Sequence, residues 1–195
     1  MKNFIIRFLF ATFPSFLVTY LALNIGSSYL YSYSNNLSTF NKIYTKQEAK
    51  DLRIQALKSF FEKYNSPLKD FAETFVITAD KYNIDYKLLP AISCMESTCA
   101  KKMIPNSFNP FGWGIFGNNY ITFKSYEHAI LTVGEGLHKG YFSKGLDTIE
   151  KIAPVYTPPN SYKWMSGVNF FINDITKFEQ EQELEVLKDK VLTYL

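Results

Sequence analysis

Tyr82-Asn83-Ile84-Asp85-Tyr86-Lys87-Leu88-Leu89-Pro90-Ala91-Ile92-Ser93-Cys94-Met95-Glu96-Ser97 decides how the chain is read. Leu88, Leu89, Ile92 and Met95 recur at helical spacing and make one apolar stripe. Asp85 is placed to cap this helix, read over 86–97. Pro90 forfeits a bond to the carbonyl of Tyr86, so the helix is either kinked early or begins near Leu89. Glu96 follows Leu89 by two turns and points within about 20° of the same direction. It is therefore a carboxyl at the edge of a core-facing stripe, unless it caps or frays into solvent at the helix end. Burial there raises a carboxyl pKa and keeps the group protonated near neutral pH.

Outward from this helix the pattern is mostly helical. Residues 47–64 are amphipathic, with Leu52, Ala56 and Phe60 beside Leu57 and Phe61. Ser66-Pro67 reads as N-cap and first turn of a helix ending near Tyr82. Ser125 caps another to about Lys139, with Glu127 in its first turn serving the helix dipole. A short helix is expected over 145–153, a rigid turn at Tyr156-Thr157-Pro158-Pro159-Asn160, and a last helix from Ser161. Residues 98–124 differ, with Gly112, Gly114, Gly117, Pro105, Pro110 and β-prone Tyr120 to Phe123. They read as a loop and a short β-hairpin turning at Asn118-Asn119. The fold class is mainly α, of the α+β type. The final segment, 179–195, sets Leu184, Leu187, Val191 and Leu195 on one face beside five acidic residues.

The chain has 195 residues, 47% hydrophobic and 20% charged, which excludes a disordered polymer. Residues 1–46 hold four basic side chains and no acidic one, leaving 17 of the 21 basic residues against all 18 acidic ones. The folded part thus has no basic excess, which argues against nucleic acid. Residues 8–25 run 18 positions without a formal charge after Lys2 and Arg7. We read 1–26 as a membrane anchor, with a cleaved signal as the alternative, and 27–46 as a linker. Either way the domain at 47–178 is expected outside the cytoplasm, in the cell envelope or secreted. Cys94 and Cys99 are bridged only if the helix ends near Ser97; otherwise they are free buried thiols. His128 and His138 lie far from them and no CxxC exists, so no metal site or cofactor is expected.

The residues from Asp85 through Leu88-Leu89, Ala91-Ile92 and Glu96-Ser97 resemble the D-x-x-L-L-x-A-I…E-S signature of soluble lytic transglycosylases. Asn109-Pro110-Phe111-Gly112 resembles the N-x-F-G loop of bacterial autolysin glucosaminidases. Phe123, Ser125 and Ala129, and Tyr156-Thr157-Pro158, are similar to that family's downstream motifs. The resemblance spans about 68–176 and implies a lysozyme-like fold that cuts the glycan strands of peptidoglycan, a β-1,4 bond between N-acetylated amino sugars. It implies Glu96 as general acid and Tyr156 as the tyrosine opposite it. Gly112-Trp113-Gly114-Ile115 replaces the usual G-L-M-Q of the transglycosylases, and Cys99-Ala100 stands near the Trp-Gly of the glucosaminidases.

A count bears on mechanism. No Asp or Glu occurs between Glu96 and Glu127, so Glu127 is the nearest sequence candidate for the second carboxylate of an ordinary glycosidase, against its reading as a first-turn glutamate serving the helix dipole. One carboxyl working alone needs least: Glu96 protonates the leaving oxygen, then acts as base while the sugar's hydroxyl closes an anhydro ring or its N-acetyl group assists. Aromatic residues crowd the same region, among them Phe108, Phe111, Trp113, Phe116, Phe123 and Tyr126, with Tyr162 and Trp164 later. Aromatic walls suit the apolar faces of sugars. Ser97, Asn109, Phe111, Gly112, Trp113, Gly114, Phe123, Tyr162 and Trp164 are the expected substrate contacts, with Asn109 on the N-acetyl groups. The expected partners are peptidoglycan strands and the membrane, as a glucosaminidase or lytic transglycosylase. The alternative is a catalytically silent module that binds glycan or scaffolds the envelope.

Overall fold

The computed structural model describes residues 51–115, 117 and 119–193, together with Thr45 and Glu48. The expected anchor, the expected linker apart from Thr45, the turn residue Asn118 and the aromatic Phe116 lie outside them. The chain divides between Glu48 and Ala49, and the fold belongs to the second part. Among the described residues no helix is long and apolar enough to cross a membrane.

The protein is mainly helical. Helix α1 runs through 51–63 and buries Ile54, Leu57, Phe60 and Phe61, the 3–4 spacing of an amphipathic helix. Ser66 ends the turn that follows. Its Oγ accepts from Leu68 N and donates to Cys99 O, so one hydroxyl caps Pro67–Phe71 and anchors a distant loop. The capped segment is a 3-10 turn that leads into α2 (Ala72–Tyr82). Asn83, left-handed at φ 52°, stops α2.

Helix α3 is Leu88–Ser97. Starting at Leu88 puts Pro90 in the first turn, where a backbone N–H would have no helical partner anyway, so no kink is needed. Helix α4 is Tyr126–Gly140, with Ser125 Oγ accepting from His128 N as expected. Helix α5 is Ile149–Tyr156, later in the chain than the expected 145–153. Gly145 at φ 78° ends a preceding turn and Thr148 supplies the cap. Pro154 inside α5 then forfeits only a bond to the carbonyl of Glu150, which faces solvent.

Helix α6, Ser161–Thr193, packs against α3 and α5, while α2 packs against α4. Trp164, Val168 and Ile175 of α6 are buried. Asp174 accepts from Lys63 Nζ at 2.8 Å and Tyr64 Oη at 2.9 Å, tying α6 to the end of α1. Lys87 reaches Glu179 at 3.1 Å. Through Thr193 the acidic segment expected at 179–195 is the distal part of α6 without a break, and its Leu184, Leu187 and Leu192 are exposed.

The expected β-hairpin is corrected. Among the described residues there is no strand, and 120–122 is irregular. Instead of pairing with a second strand, Ile121 O accepts from the side chain of Asn109, and Phe123 N donates to Ser107 O. One side-chain bond and one backbone bond to residues 107–109 satisfy the loop's backbone where a ladder was expected.

Candidate functional site

Helix α3 ends in an unusual way that presents Glu96. Thr98, Cys99 and Ala100 follow Ser97 with φ of 55°, 57° and 65°. Left-handed backbone at a residue with a Cβ costs roughly 1 kcal/mol or more, so three in succession need outside support. The Cys94–Cys99 disulfide supplies one clasp, with Cα atoms 3.7 Å apart. Ser97 supplies another. Its Oγ accepts from Ala100 N and lies 2.8 Å from Ser93 O and 2.7 Å from Pro110 O, sharing one proton between them. The helix therefore ends near Ser97, the condition the sequence set for a bridge.

Glu96 stands on the last turn, at the junction of three cavities. One, of about 580 Å³, is lined by Phe111, Gly112, Trp113, Ile121, Tyr141 and Tyr156. The second, about 350 Å³, lies towards Lys102, Met103, Ile104 and Ser107. The third, about 280 Å³, lies towards Thr157, Asn160 and Lys163. The expectation that Glu96 is sheltered from water is corrected, since solvent reaches the side chain. It does so inside a cleft whose walls leave the carboxyl incompletely hydrated. That burial pushes its pKa upward, and a hydrogen bond from Trp164 opposes the shift without cancelling it. Glu96 is the only carboxylate among the described residues lining the three cavities; Glu127 lies in none of them.

Tyr156, the last residue of α5, shares the largest cavity with Glu96. Burial first, then the charges of Glu96 and Tyr141, push its hydroxyl well above the ordinary tyrosine value, so it stays a neutral phenol. Its ring stacks on Trp164 at 4.6 Å and 29°. Two regions 60 residues apart are thus joined as the sequence motifs implied.

The glycines of the loop hold it open. Gly112, at φ 62°, approaches Glu96 so closely that a Cβ there would lie 3.6 Å from Oε2. Gly114, at φ 67°, has the side chain of Ile121 where a Cβ would stand. Trp113 is half-buried and lines the large cavity, as expected of a groove wall. It rests on α4 at Gly136, whose Cβ would come within 2.5 Å of the indole.

Other expected contacts have different work. Asn109, 3% exposed, lines the second cavity with its side-chain polar atoms already bonded within the loop. Its Nδ2 donates to Trp113 O at 2.8 Å and Ile121 O at 3.0 Å, and its Oδ1 accepts from Trp113 N at 3.0 Å. It shapes the loop, and Ser97 does the same for the turn before it. Phe111 touches the cavity but is a core residue against Phe75, and Phe123 is buried against His128. Tyr162 is 78% exposed and lines none of the three cavities. Trp164, expected as a sugar platform, is 4% exposed and gives its indole N–H to Glu96 Oε1 at 2.7 Å.

Several lining residues were not among the expected contacts, including Tyr141 beside the acid, Lys102 in the second cavity and Lys163 in the third, while Thr157 was marked only as part of the turn motif. Neither lysine pairs with a carboxylate among the described residues, so each brings an uncompensated charge to its arm. The arrangement can donate a proton from one carboxyl to a ligand held between aromatic walls, with cations at both ends of the cleft. No protein-family model matches the chain, and no curated protein matches it in sequence.

Proposed function

We propose that the domain cleaves the glycan strands of peptidoglycan, with Glu96 as general acid and then base. The observation that carries the reading is a single carboxyl, its pKa raised, at the meeting point of three cavities that hold no second acid. In this mechanism the Glu96 proton passes to the leaving glycosidic oxygen as the anomeric C–O bond breaks. Either the sugar's own hydroxyl then attacks the anomeric carbon and Glu96 takes its proton, closing an anhydro ring, or the N-acetyl oxygen attacks first and water finishes the hydrolysis. Tyr156, a neutral phenol beside the acid, donates a hydrogen bond to the substrate or steadies the cationic intermediate. Trp113 forms a wall for a sugar face. Lys102 and Lys163 favour a strand bearing carboxylates on both sides of the cut over a neutral one. The Cys94–Cys99 bridge fits an oxidising compartment outside the cytoplasm. Both the lysozyme-like assignment and the envelope location belong to this proposal.

The test is digestion of purified peptidoglycan by the full-length chain, followed by mass spectrometry of the released fragments. Anhydro ends identify a lytic transglycosylase and reducing N-acetylglucosamine ends a glucosaminidase. Glu96→Gln is expected to slow release by at least about a hundredfold while wall binding persists. A wild-type chain that binds wall but releases nothing from pH 4 to 8 would be a glycan-binding or scaffolding module instead.

A further inference from the structure

Glu96 has two oxygens in different surroundings. Oε1 is 2.7 Å from Trp164 Nε1. Indole nitrogen only donates, so Oε1 must accept whether the carboxyl is neutral or ionised. Oε2 faces Gly112, where the missing side chain leaves room above the backbone. Glu96 and Gly112 together line both the large cavity and the one towards Lys102, so this gap joins the two arms.

We propose that Trp164 is a positioning residue that assigns the two oxygens: its N–H reserves Oε1 as acceptor, so the neutral acid carries its proton on Oε2, over Gly112. A proton on Oε1 would leave the indole N–H only the weakly accepting hydroxyl oxygen in place of the carbonyl oxygen. Rotation of the carboxyl is opposed because Trp164 has nowhere to go. It is buried, stacked on Tyr156, and carried on a helix packed close to α3, where Met95 fills the space above Gly167. The scissile oxygen is accordingly received at the Glu96–Gly112 gap, with sugars extending into both adjoining cavities. This last step rests on the proposed glycan cleavage; the proton assignment does not. The other charged or titratable groups facing Glu96 are Tyr141, Tyr156, Lys102 and Lys163.

Direct observation is feasible because the chain has two tryptophans, Trp113 and Trp164. In the full-length chain labelled with 15N-tryptophan, Trp113→Phe identifies the Trp164 indole signal. That signal is expected to titrate with a midpoint above the ordinary glutamate value of about 4.3. Glu96→Gln should keep the signal and abolish its titration. A Trp164 signal that stays flat from pH 3 to 8, or that still titrates after Glu96→Gln, overturns the assignment. Trp164→Phe keeps the aromatic stack and removes the donor. Its fall of cleavage with rising pH should move to higher pH, with kcat down about tenfold and KM within twofold. An unmoved pH limb would reduce Trp164 to packing. Should Trp164→Phe fail to fold, the indole titration decides alone. If the wild-type chain cleaves nothing, the glycan-cleavage reading fails while the titration still judges the assignment.

Discussion

The helical body and the 98–124 loop are stabilised by different physics. In the body, α1 to α4 and the first half of α6 bury apolar side chains such as Phe60, Phe61, Leu89, Ile92, Ile130 and Val168. Each contributes roughly 1.5–3 kcal/mol by leaving water, and many contacts share the work. In the loop, left-handed residues are held by a few specific bonds from Ser97, Ser107 and Asn109, with one disulfide at its root. The body tolerates the loss of a methyl group; the loop depends on single atoms. Glu96 stands where the two meet, on the rigid side, and Gly112 faces it from the other. The acid is carried on a helix that belongs to the core, and the wall that faces it is loop rather than helix.

The largest expected effect in this contrast is Asn109→Ala. It leaves Trp113 N, Trp113 O and Ile121 O without their partner, in a place Asn109 itself shields from water. Each unpaired group costs about 1–3 kcal/mol, so a loss of about 3 kcal/mol is expected after partial rehydration. The loss should be local. Helical circular dichroism at 25 °C stays at the wild-type value while Trp113 fluorescence shifts to that of a hydrated indole and wall digestion falls. A variant within about 1 kcal/mol of wild type with Trp113 undisturbed would mean the loop is held by packing, like the body.

The same contrast explains what was legible in the sequence. Apolar spacing located α1 to α4, and the caps at Ser66 and Ser125 are where side-chain chemistry placed them. Local rules slipped at α5, where Gly145 and Thr148 moved the start and Pro154 proved tolerable. They failed in the loop, because β-prone Tyr120 to Phe123 implied a strand while the partner for Ile121 O is a side chain twelve residues away. Of the expected site, Glu96, Phe111, Gly112, Trp113, Gly114 and Tyr156 line one cavity, Ser97 and Asn109 line the second with Glu96, and Trp164 lines the third with it. Asn109, Ser97, Phe111, Phe123 and Trp164 have the residue types of a binding site but are occupied by the protein itself. Residue type shows what a side chain can bond, and only the fold shows whether its bonds are already used. Lys102, Lys163 and Tyr141 were invisible for the converse reason. Nothing local marks them, and their role arises from segments far apart in the chain.

A second variant sharpens the comparison inside the body. A Cβ at Gly134 of α4 would lie 2.4 Å from Thr78 Cγ2, with Leu89 and Tyr82 atoms at 3.4 Å. Thr78 is buried and β-branched, so it has little rotamer freedom to yield. Gly134→Ala should force α2 and α4 apart at about 1–3 kcal/mol, set against about 1 kcal/mol of helix propensity. The net expectation is a loss of up to about 2 kcal/mol by urea denaturation. Gly167→Ala meets Met95 Sδ instead, the end of a flexible side chain, and should fall within about 1 kcal/mol of wild type. Equal effects from both would show that helix propensity, not inter-helix distance, dominates at these crossings.

The smallest effect tests the seam itself. Burial raises the folded-state pKa of Glu96 above its unfolded value, and the Trp164 bond reduces the rise without reversing it. The folded protein thus binds the proton more tightly than the unfolded chain. The stability this contributes is fully present below the unfolded pKa, about 4.3, and is lost as pH rises through the folded value. Glu96→Gln is neutral at every pH and still offers an oxygen to Trp164. It should match wild type in thermal unfolding near pH 4 and become the more stable of the two towards pH 7. The gain should not exceed about 1 kcal/mol, because solvent in the cleft screens the charge. A gain of that sign, in a variant that no longer cleaves, marks a carboxyl retained at the expense of stability. The opposite sign, with wild type gaining on Glu96→Gln as pH rises, would mean that the indole N–H outweighs burial and that the acid is ionised at neutral pH.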